Sequence, residues 1–224
     1  MCGRFSLTTD PNQLRKAFPW LNIPEGPTPR YNVAPSQPVA VVPNDGKDQL
    51  DFYLWGIIPS WAKDAKIGYR MINARSETLA QKPSFRAAFR RRRCLIPADG
   101  FYEWKKNPDG KTKTPIYITL KPGKPFAFAG LWENWQSPDG SLIRSCTIIT
   151  TQPNQFMSEI HNRMPVILPE ETYRLWLDPG EPELALLQDV LQPYSGTDLS
   201  AYPVSRVVNS PSNDNPACIE PLHQ

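Results

Sequence analysis

The chain has 224 residues, 40% of them hydrophobic and 11% aromatic, which is enough for a sizeable core in one large domain or two small ones. Its formal net charge is only +3, so it is not a strongly basic protein that binds nucleic acid through net charge alone. Any binding of nucleic acid would depend on where the charges lie. Proline is frequent, with 26 residues, which favours a fold of turns and short strands over a helical bundle or a disordered chain.

The first third of the chain alternates short elements with proline-rich turns. Asp10 followed by Pro11 is typical of a helix start, and we expect an amphipathic helix that runs to about Phe18. The elements predicted after it are a proline-rich loop at residues 23–38, hairpin strands at 39–42 and 50–57 around a turn at 44–46, a loop at 59–62 and a mixed segment at 71–78.

A second helix is predicted from Ser84, which would cap it, to about Arg93. Apolar side chains recur at helical spacing and should face the core, whereas arginines recur on another face, which is usually solvated. The inward-facing residues are Phe85, Ala88 and Phe89, and the arginines are Arg86, Arg90 and Arg93.

The second half of the chain predicts a run of strands followed by short helices. Strands are expected at residues 94–96, 100–105, 115–120, 126–132, 144–150 and 202–207, and helices at 154–160, 170–177 and 181–191, with loop beyond Asn209. No repeat and no clear domain boundary interrupts this order. The pattern predicts one α+β domain over residues 1–224, with a barrel-like, mostly antiparallel β core flanked by a few short helices.

Cys2 stands directly after Met1, and a small second residue generally allows the initiator methionine to be removed. Removal would leave Cys2 with a thiol and a free α-amine whose reference pKa values are about 8.5 and roughly 7.7–8.0. Such a 1,2-aminothiol can attack an acyl group, or it can condense with an aldehyde to an imine and then to a thiazolidine. The alternative is an incidental residue on a frayed terminus.

The other three cysteines, Cys94, Cys146 and Cys218, lie in apolar surroundings and are predicted to be buried thiols. No cysteine pair has metal-ligand spacing, and the chain contains no P-loop or dinucleotide fingerprint, so neither a metal nor a cofactor is expected. No secretory signal and no run of ~18 apolar residues is present, which predicts a cytoplasmic location, nucleoid-associated in a bacterium, and no membrane partner.

Two titratable residues are candidates for acid–base chemistry. His161 lies after a helical turn in a polar cluster, although a lone histidine is more often structural than catalytic. Glu103 lies between Tyr102 and Trp104, so alternation leaves two possibilities, the solvent face or a pocket in which aromatic neighbours would raise its pKa. His223 is next to the end of the sequence, where disorder is expected.

Other polar and aromatic residues could bind an anion or a base. Asn73 and Arg75 lie two apart and would point the same way on an extended chain, as would Cys2 and Arg4. An amide beside a guanidinium can bind an oxyanion or phosphate, although a capping role for Asn73 is the ordinary alternative. Trp61 could stack on nucleobases or belong to the core.

Five motifs, taken together and in order, resemble those of the SOS-response-associated peptidase (SRAP) family, the abasic-site-processing proteins. The resemblance extends from residue 2 to about Asn209. The motifs are Met1-Cys2-Gly3-Arg4-Phe5, Arg30-Tyr31-Asn32-Val33-Ala34-Pro35, Asn73-Ala74-Arg75-Ser76-Glu77-Thr78, Pro97-Ala98-Asp99-Gly100-Phe101-Tyr102-Glu103-Trp104 and His161-Asn162-Arg163-Met164-Pro165. Position 162 is asparagine where the family often has aspartate.

The resemblance implies a protein that binds single-stranded DNA containing an abasic site and forms a covalent DNA–protein crosslink through Cys2 during the response to DNA damage. It also implies lyase-like chemistry and autoproteolytic removal of Met1. By motif, the catalytic residues would be Cys2, Asn73, Glu103 and His161. The implied DNA contacts are Arg4, Asn32, Pro35, Ser36, Trp61, Arg75, Arg86, Trp104 and Thr150.

The expected partners are single-stranded DNA and, beyond it, replication-fork proteins, with the protein itself a monomer. Two other functions remain open at this stage. One is a cysteine peptidase or amidohydrolase that acts on a separate substrate through the same thiol. The other is a non-catalytic single-strand-binding module, which would bind intact and abasic DNA alike.

Overall fold

The computed structural model describes residues 2–24 and 28–222. Predictions that concern Met1, His223 and residues 25–27 therefore lie outside the described residues. In the described part of the chain, twelve strands form two sheets. The strands are β1 Phe5–Leu7, β2 Arg30–Val33, β3 Pro38–Pro43, β4 Asp51–Trp55, β5 Asn73–Arg75, β6 Arg93–Ala98, β7 Gly100–Lys106, β8 Lys113–Leu120, β9 Phe126–Gln136, β10 Leu142–Thr151, β11 Met164–Pro165 and β12 Leu199–Pro203.

One sheet closes on itself as a five-stranded barrel. The strand β10 pairs with β9 in antiparallel fashion and with β4 in parallel fashion, and the ring is completed through β3 and β6. Beyond the barrel, β10 also pairs with β5 and β11. Closure leaves the five barrel strands with neighbours on both sides, so their backbone groups are satisfied without an open edge.

The other sheet is antiparallel, has the order β12-β8-β7-β1-β2, and packs against the barrel. The ring of Phe5 on β1 makes edge-to-face contacts with Trp55 and Phe128, at centroid distances of 5.2 and 5.9 Å. These contacts join β1 to β4 and β9 of the barrel. The predicted α+β fold with a barrel-like, mostly antiparallel core is confirmed.

Side-chain alternation along the barrel strands divides the core into two parts. On β6, Cys94 and Ile96 pack in the cluster that contains Phe5, whereas Leu95 faces the cluster beneath the helices. The helices are short, as predicted, and are α1 Pro11–Ala17, α2 Arg86–Arg91, α3 Gln155–Ser158, α4 Tyr173–Trp176 and α5 Leu184–Asp189. None of the helices in the described ranges has the length and apolar character needed to cross a bilayer.

Most of the predicted elements are present, and Asp10 caps α1 through its side chain as expected. Cys94, Cys146 and Cys218 are buried, as predicted. The prediction of a loop at residues 23–38 was wrong in part, because this stretch contains β2. The prediction of a last strand at residues 202–207 was also wrong in its bounds, because that strand is β12. Pairing with β8 decides both ends of β12, which lies opposite Leu120 and Ile116.

The prediction for Arg93 was wrong. The helix α2 ends before it, Ser84 does not cap that helix, and Arg93 begins β6 with a side chain that is 0% exposed. Its guanidinium donates to the carbonyl oxygens of Trp176 at 2.9 Å, Phe89 at 3.2 Å and Asp178 at 2.6 Å. The carbonyl groups at the ends of α2 and α4 therefore accept hydrogen bonds from a buried cation in place of water, although the sequence pattern predicted that this cation lies in solvent.

The segment beyond Asn209 is mostly loop, as predicted, and it is held against the five-stranded sheet by hydrogen bonds. Asp214 accepts hydrogen bonds from the backbone N–H groups of Tyr31 at 2.5 Å and Asn32 at 3.0 Å, and it pairs with Arg30. These contacts cover the outer edge of β2, which would otherwise expose unpaired backbone groups.

Asp99 fixes the start of the chain. Its carboxylate accepts hydrogen bonds from the Ser6 hydroxyl at 2.5 Å, the Thr9 N–H at 2.8 Å and the Thr8 hydroxyl at 2.8 Å, and also from the Thr8 N–H. Asp99 is only 5% exposed, so these donors have little access to water in its place. The carboxylate thereby holds the end of β1 against the turn between β6 and β7.

Asp99→Ala should lower the free energy of unfolding by about 3 kcal/mol, because it leaves the buried Ser6 hydroxyl and several part-buried donors without an acceptor. Urea denaturation followed by tryptophan fluorescence measures this loss. Asp189→Ala, at the exposed end of α5, is the matched control and should change stability by less than about 0.5 kcal/mol. Equal stability of the two variants would contradict the anchoring role of Asp99.

Candidate active site

Cys2 lies in the protein interior because the strand that follows it is enclosed on both sides. Phe5 of β1 lies opposite Val33 on β2 and opposite Phe101 on β7. The Cys2 side chain is 0% exposed, and its Sγ lies 3.7 Å from the carbonyl oxygen of Arg4. Burial of this kind argues against a frayed terminus, which was the alternative for Cys2.

Glu103 and His161 form a pair within the fold. Glu103 comes from β7 and is 3% exposed, and its Oε2 lies 3.8 Å from Nε2 of His161. Of the two faces that alternation allowed, Glu103 thus occupies the inner one. The carboxylate and the imidazole come from segments 58 residues apart (161 − 103), and only the tertiary fold brings them together.

The local chain sets the orientation of His161. Asn154 caps α3 by accepting the Met157 N–H at 2.8 Å, and the His161 N–H then donates to the Met157 carbonyl at 2.8 Å. The backbone N–H of Arg163 donates to Nδ1 of His161 at 3.1 Å. With Nδ1 used as an acceptor, the neutral imidazole carries its proton on Nε2, the atom that faces Glu103.

Burial shifts the three titratable groups of the site towards their uncharged forms. Burial raises the pKa of the Cys2 thiol, and the nearby charge of Glu103 raises it further. Burial also raises the pKa of Glu103 and lowers the pKa of His161. The pKa values of a glutamate and a histidine ordinarily differ by about two units, and these shifts make the difference smaller. A smaller difference in pKa suits the exchange of a proton between the two groups.

Asn73 presents an amide with unused hydrogen-bonding capacity. It lies on β5 opposite Ile148 of β10, and Ile148 packs in the same cluster as Cys2. Both Nδ2 and Oδ1 of Asn73 are buried, and neither has a hydrogen-bond partner among the residues that the structure describes. A buried amide without a partner is costly, so this group is suited to hold a bound molecule or the amine of Cys2.

Arg163 links the segments that carry Asn73 and His161. Its guanidinium binds both carboxylate oxygens of Glu77, at 2.5 and 3.0 Å, and donates to the Thr150 carbonyl at 2.7 Å. Both residues of this bidentate pair stand in the sequence motifs, but their partnership had no signal in the sequence. The pair holds the turn after β5 against β10, and it also fixes the residue whose N–H orients His161.

The predicted DNA-binding residues divide into exposed and enclosed groups. Trp61 is 58% exposed, and Arg75, Arg86 and Ser36 are also exposed, with Pro35 half-buried beside Ser36. Ser36 adopts a positive φ of 67°, which turns the loop after β2 outward. These five residues keep surfaces that a nucleic acid strand could reach.

Asn32 and Thr150 are completely buried, so the structure gives neither of them a surface for DNA. The Asn32 side chain donates to the carbonyl oxygens of Val208 at 3.1 Å and Asn213 at 2.7 Å. Thr150 accepts from Arg163 instead. The polar atoms of both residues are thus used inside the fold, and contact of either residue with DNA stays a prediction.

Arg4 and Trp104 are joined to the C-terminal segment as well as to each other. The Arg4 guanidinium donates to Asn32 Oδ1 at 2.9 Å and to the Val208 carbonyl at 2.7 Å, and it lies 5.9 Å from the centre of the Trp104 ring. The Trp104 Nε1 donates to Asn209 Oδ1 at 2.8 Å. These bonds occupy much of the guanidinium that the sequence motifs assigned to phosphate.

The described residues contain no group of three or more histidine, cysteine, aspartate or glutamate side chains placed to hold a metal ion. The functional groups brought together are instead a thiol, a carboxylate, an imidazole and an amide. The fold and site thus define a protein with a buried cysteine at the second position, beside a glutamate–histidine pair.

Comparison with known proteins places this arrangement in a family. The model of the family described as SOS response associated peptidase (SRAP) matches residues 1–211, and the chain belongs to the SRAP family. The abasic site processing protein YoqW of Bacillus subtilis is 52% identical over 226 residues, which cover 98% of this chain and 99% of that protein. The abasic site processing protein HMCES of Rattus norvegicus is 30% identical over 270 residues, covering 99% of this chain and 76% of its own length.

Solved structures agree in fold. A protein from Bacteroides thetaiotaomicron superposes with a TM-score of 0.87 at 24% identity, over 99% of this chain and 100% of the other. A protein from Bordetella bronchiseptica superposes with a TM-score of 0.77 at 27% identity, over 91% of this chain and 100% of the other. The barrel with its packed antiparallel sheet is therefore the architecture of these proteins too.

The opposite pKa directions of Glu103 and His161 predict opposite effects of pH on stability. A carboxyl whose pKa is raised in the folded state costs stability as pH rises from its ordinary value of about 4.3 towards the raised value. Glu103→Gln should therefore gain stability relative to the parent as pH rises above about 4.3. His161→Gln should gain relative stability as pH falls through about 6.5, since the lowered pKa makes protonation costly in the folded state.

Denaturation midpoints across this pH range measure both trends, with Glu181→Gln on an exposed surface as the control for Glu103→Gln. Parallel stability curves for Glu103→Gln and the parent would show that burial does not shift the titration of Glu103.

Proposed function

We propose that this protein binds single-stranded DNA at abasic sites and joins itself to them covalently through Cys2, after Met1 has been removed. Its relatives in Bacillus subtilis and Rattus norvegicus carry the name abasic site processing protein, which supports an abasic-site-processing role for this chain. The observation that carries the proposal is the burial of Cys2 beside the Glu103–His161 pair. An ordinary surface thiol would need no such surroundings.

The chemistry begins with the aldehyde of the abasic sugar. The sugar is mostly a closed hemiacetal, and His161 would transfer the proton of the C1′ hydroxyl to the ring oxygen, which breaks the bond between C1′ and that oxygen and exposes the aldehyde. The free amine of Cys2 then bonds to C1′ and one water leaves, which gives an imine. The sulfur adds to the same carbon while the thiol proton passes to the imine nitrogen, which closes a thiazolidine without any oxidant or reductant.

The environment of Cys2 makes the amine the first nucleophile. The thiol is protonated near neutrality because burial raises its pKa, and a thiol is a much weaker nucleophile than a thiolate. Glu103 would shuttle protons, taking one from the attacking nitrogen and delivering one to the hydroxyl that leaves as water. Asn73 would hold the Cys2 amine or a sugar oxygen with its unused amide.

DNA would lie over the exposed residues of the predicted set. Arg75 and Arg86 would bind flanking phosphates, and the Trp61 ring with the Pro35-Ser36 loop would hold or separate the bases. Arg4 contributes chiefly by holding the C-terminal segment and Trp104, since its guanidinium is already engaged there. Such contacts recognise the backbone and the missing base rather than a sequence.

Removal of Met1 should be required for the crosslink. With Met1 in place the nitrogen of Cys2 is an amide and cannot form an imine. Intact-mass spectrometry of active protein should therefore show the loss of one methionine, the product of hydrolysis of the Met1–Cys2 bond. A preparation that keeps Met1 and still crosslinks fully would refute the mechanism.

Cys2→Ser should separate the roles of the amine and the sulfur. This variant keeps an N-terminal amine and can form an imine, but its hydroxyl is a far poorer nucleophile for ring closure. On denaturing gels, the parent protein should give a crosslink to abasic single-stranded DNA that survives heating without reductant. The variant should give one that needs borohydride trapping, or should cut the strand by β-elimination.

Two controls distinguish the other functions. A DNA strand without abasic sites should give no crosslink, whereas a non-catalytic binding module would treat both strands alike. A peptidase acting on separate substrates would cleave peptides through Cys2 and leave abasic DNA unmodified. A heat-stable, reductant-free crosslink from Cys2→Ser would show that the sulfur is not needed.

A further inference from the structure

A groove of about 460 Å³ opens beside His161, outside the buried site. One wall is the hairpin formed by the end of β7 and the start of β8, and the other is the turn that follows α3. Its lysine residues belong to none of the five sequence motifs and have no role in the site described above. The side chains that matter for its chemistry are Trp104, Lys105, Lys106, Lys113, Glu159 and His161.

Three lysines give this groove its charge. Lys106 on β7 lies directly opposite Lys113 on β8, and Lys105 lies opposite Thr114. All three lysines are exposed, and none is in an ion pair with a carboxylate of residues 2–24 or 28–222. Like charges directly opposite one another across a strand pair destabilise the sheet. The hairpin bears this cost, which a bound polyanion would offset.

The groove is electrostatically continuous with the active site. Burial lowers the pKa of His161, and the ammonium of Lys113 lowers it further. Burial raises the pKa of Glu103, and the same ammonium opposes that rise. Lys113 is therefore close enough to act on both groups, and a strand lying along the lysines would lead into the site past His161.

We propose that this lysine groove binds the phosphate backbone of single-stranded DNA on one side of the abasic nucleotide. The inference rests on the proposed function, since it concerns the strand that the same site would hold. Lysine ammonium groups bind phosphates as point charges and read no sequence, as a sensor of missing bases requires. Glu159 on the opposite wall is the one carboxylate of the groove and weakens its hold on phosphate.

The experiment measures binding of a single-stranded oligonucleotide that contains a tetrahydrofuran analogue, which has no aldehyde and cannot crosslink. Fluorescence anisotropy at several salt concentrations gives the slope of log affinity against log salt. Each of Lys105→Gln, Lys106→Gln and Lys113→Gln should make this slope shallower by about 0.7, and the triple variant by roughly 2. Glu159→Gln should tighten binding at low salt.

Lys16→Gln is the matched control, because Lys16 is an exposed lysine on α1, an element that packs on the helix side of the barrel. It should leave the slope unchanged. If the triple variant kept the salt slope of the parent protein, the proposal would be wrong. It would also be wrong if Lys16→Gln made the slope as shallow as a groove variant does, because the effect would then come from net charge alone.

Shortened oligonucleotides test the one-sided placement. Removing nucleotides on one side of the analogue should abolish the difference in salt slope between the parent and the triple variant. Removing nucleotides on the other side should preserve that difference. A difference that survives both truncations would overturn the proposal. Because this binding needs no covalent step, a parent protein that fails to crosslink abasic DNA contradicts the proposed function alone, whereas unchanged slopes in a crosslinking protein contradict the groove alone.

Discussion

The structure depends on burial of the N-terminal strand between two neighbours. Three residues of β1 pair with β2 and β7, and Phe5 packs against the barrel, so the chain reaches its second residue already inside the fold. Asp99 secures the other end of the strand through the N–H and hydroxyl groups of Thr8 and Thr9. A terminus normally frays because few contacts hold it. Here the position of Cys2 follows from contacts made by residues further along the chain.

Burial also determines the electrostatic character of the site. Desolvation disfavours charge, and it acts in the same sense on the Cys2 thiol, the Glu103 carboxyl and the His161 imidazole. A neutral interior of this kind suits chemistry in which protons are passed between groups and water is expelled. Lys106 and Lys113 of the hairpin, and the arginines Arg75 and Arg86, are instead exposed, so their charges avoid the cost of burial.

The C-terminal segment packs against the strands that form the site. Asp214 and Asn32 fasten it to β2, while Arg4 and Trp104 bind it from the strands that flank Cys2 and carry Glu103. Three residues predicted to contact DNA, Arg4, Asn32 and Trp104, thus also make hydrogen bonds that hold this segment in place. A polar residue within a motif can contact a ligand or hold the fold together. Its hydrogen-bond partners, which come from distant segments, show how its polar atoms are used.

The family, the α+β class, most strands and the short helices could all be predicted from the sequence, because alternation, turn residues and five ordered motifs are local features. The sequence also singled out Cys2 as a candidate nucleophile, because it stands directly after Met1. The inward orientation of Glu103 and the burial of Arg93 and Asn32 could be seen only in the folded chain. The tertiary structure alone brought His161 to Glu103 and Arg163 to Glu77. These outcomes depend on which strands become neighbours and which carbonyl groups lie within reach of a side chain, and contacts between residues far apart in the chain leave no periodic signal in it.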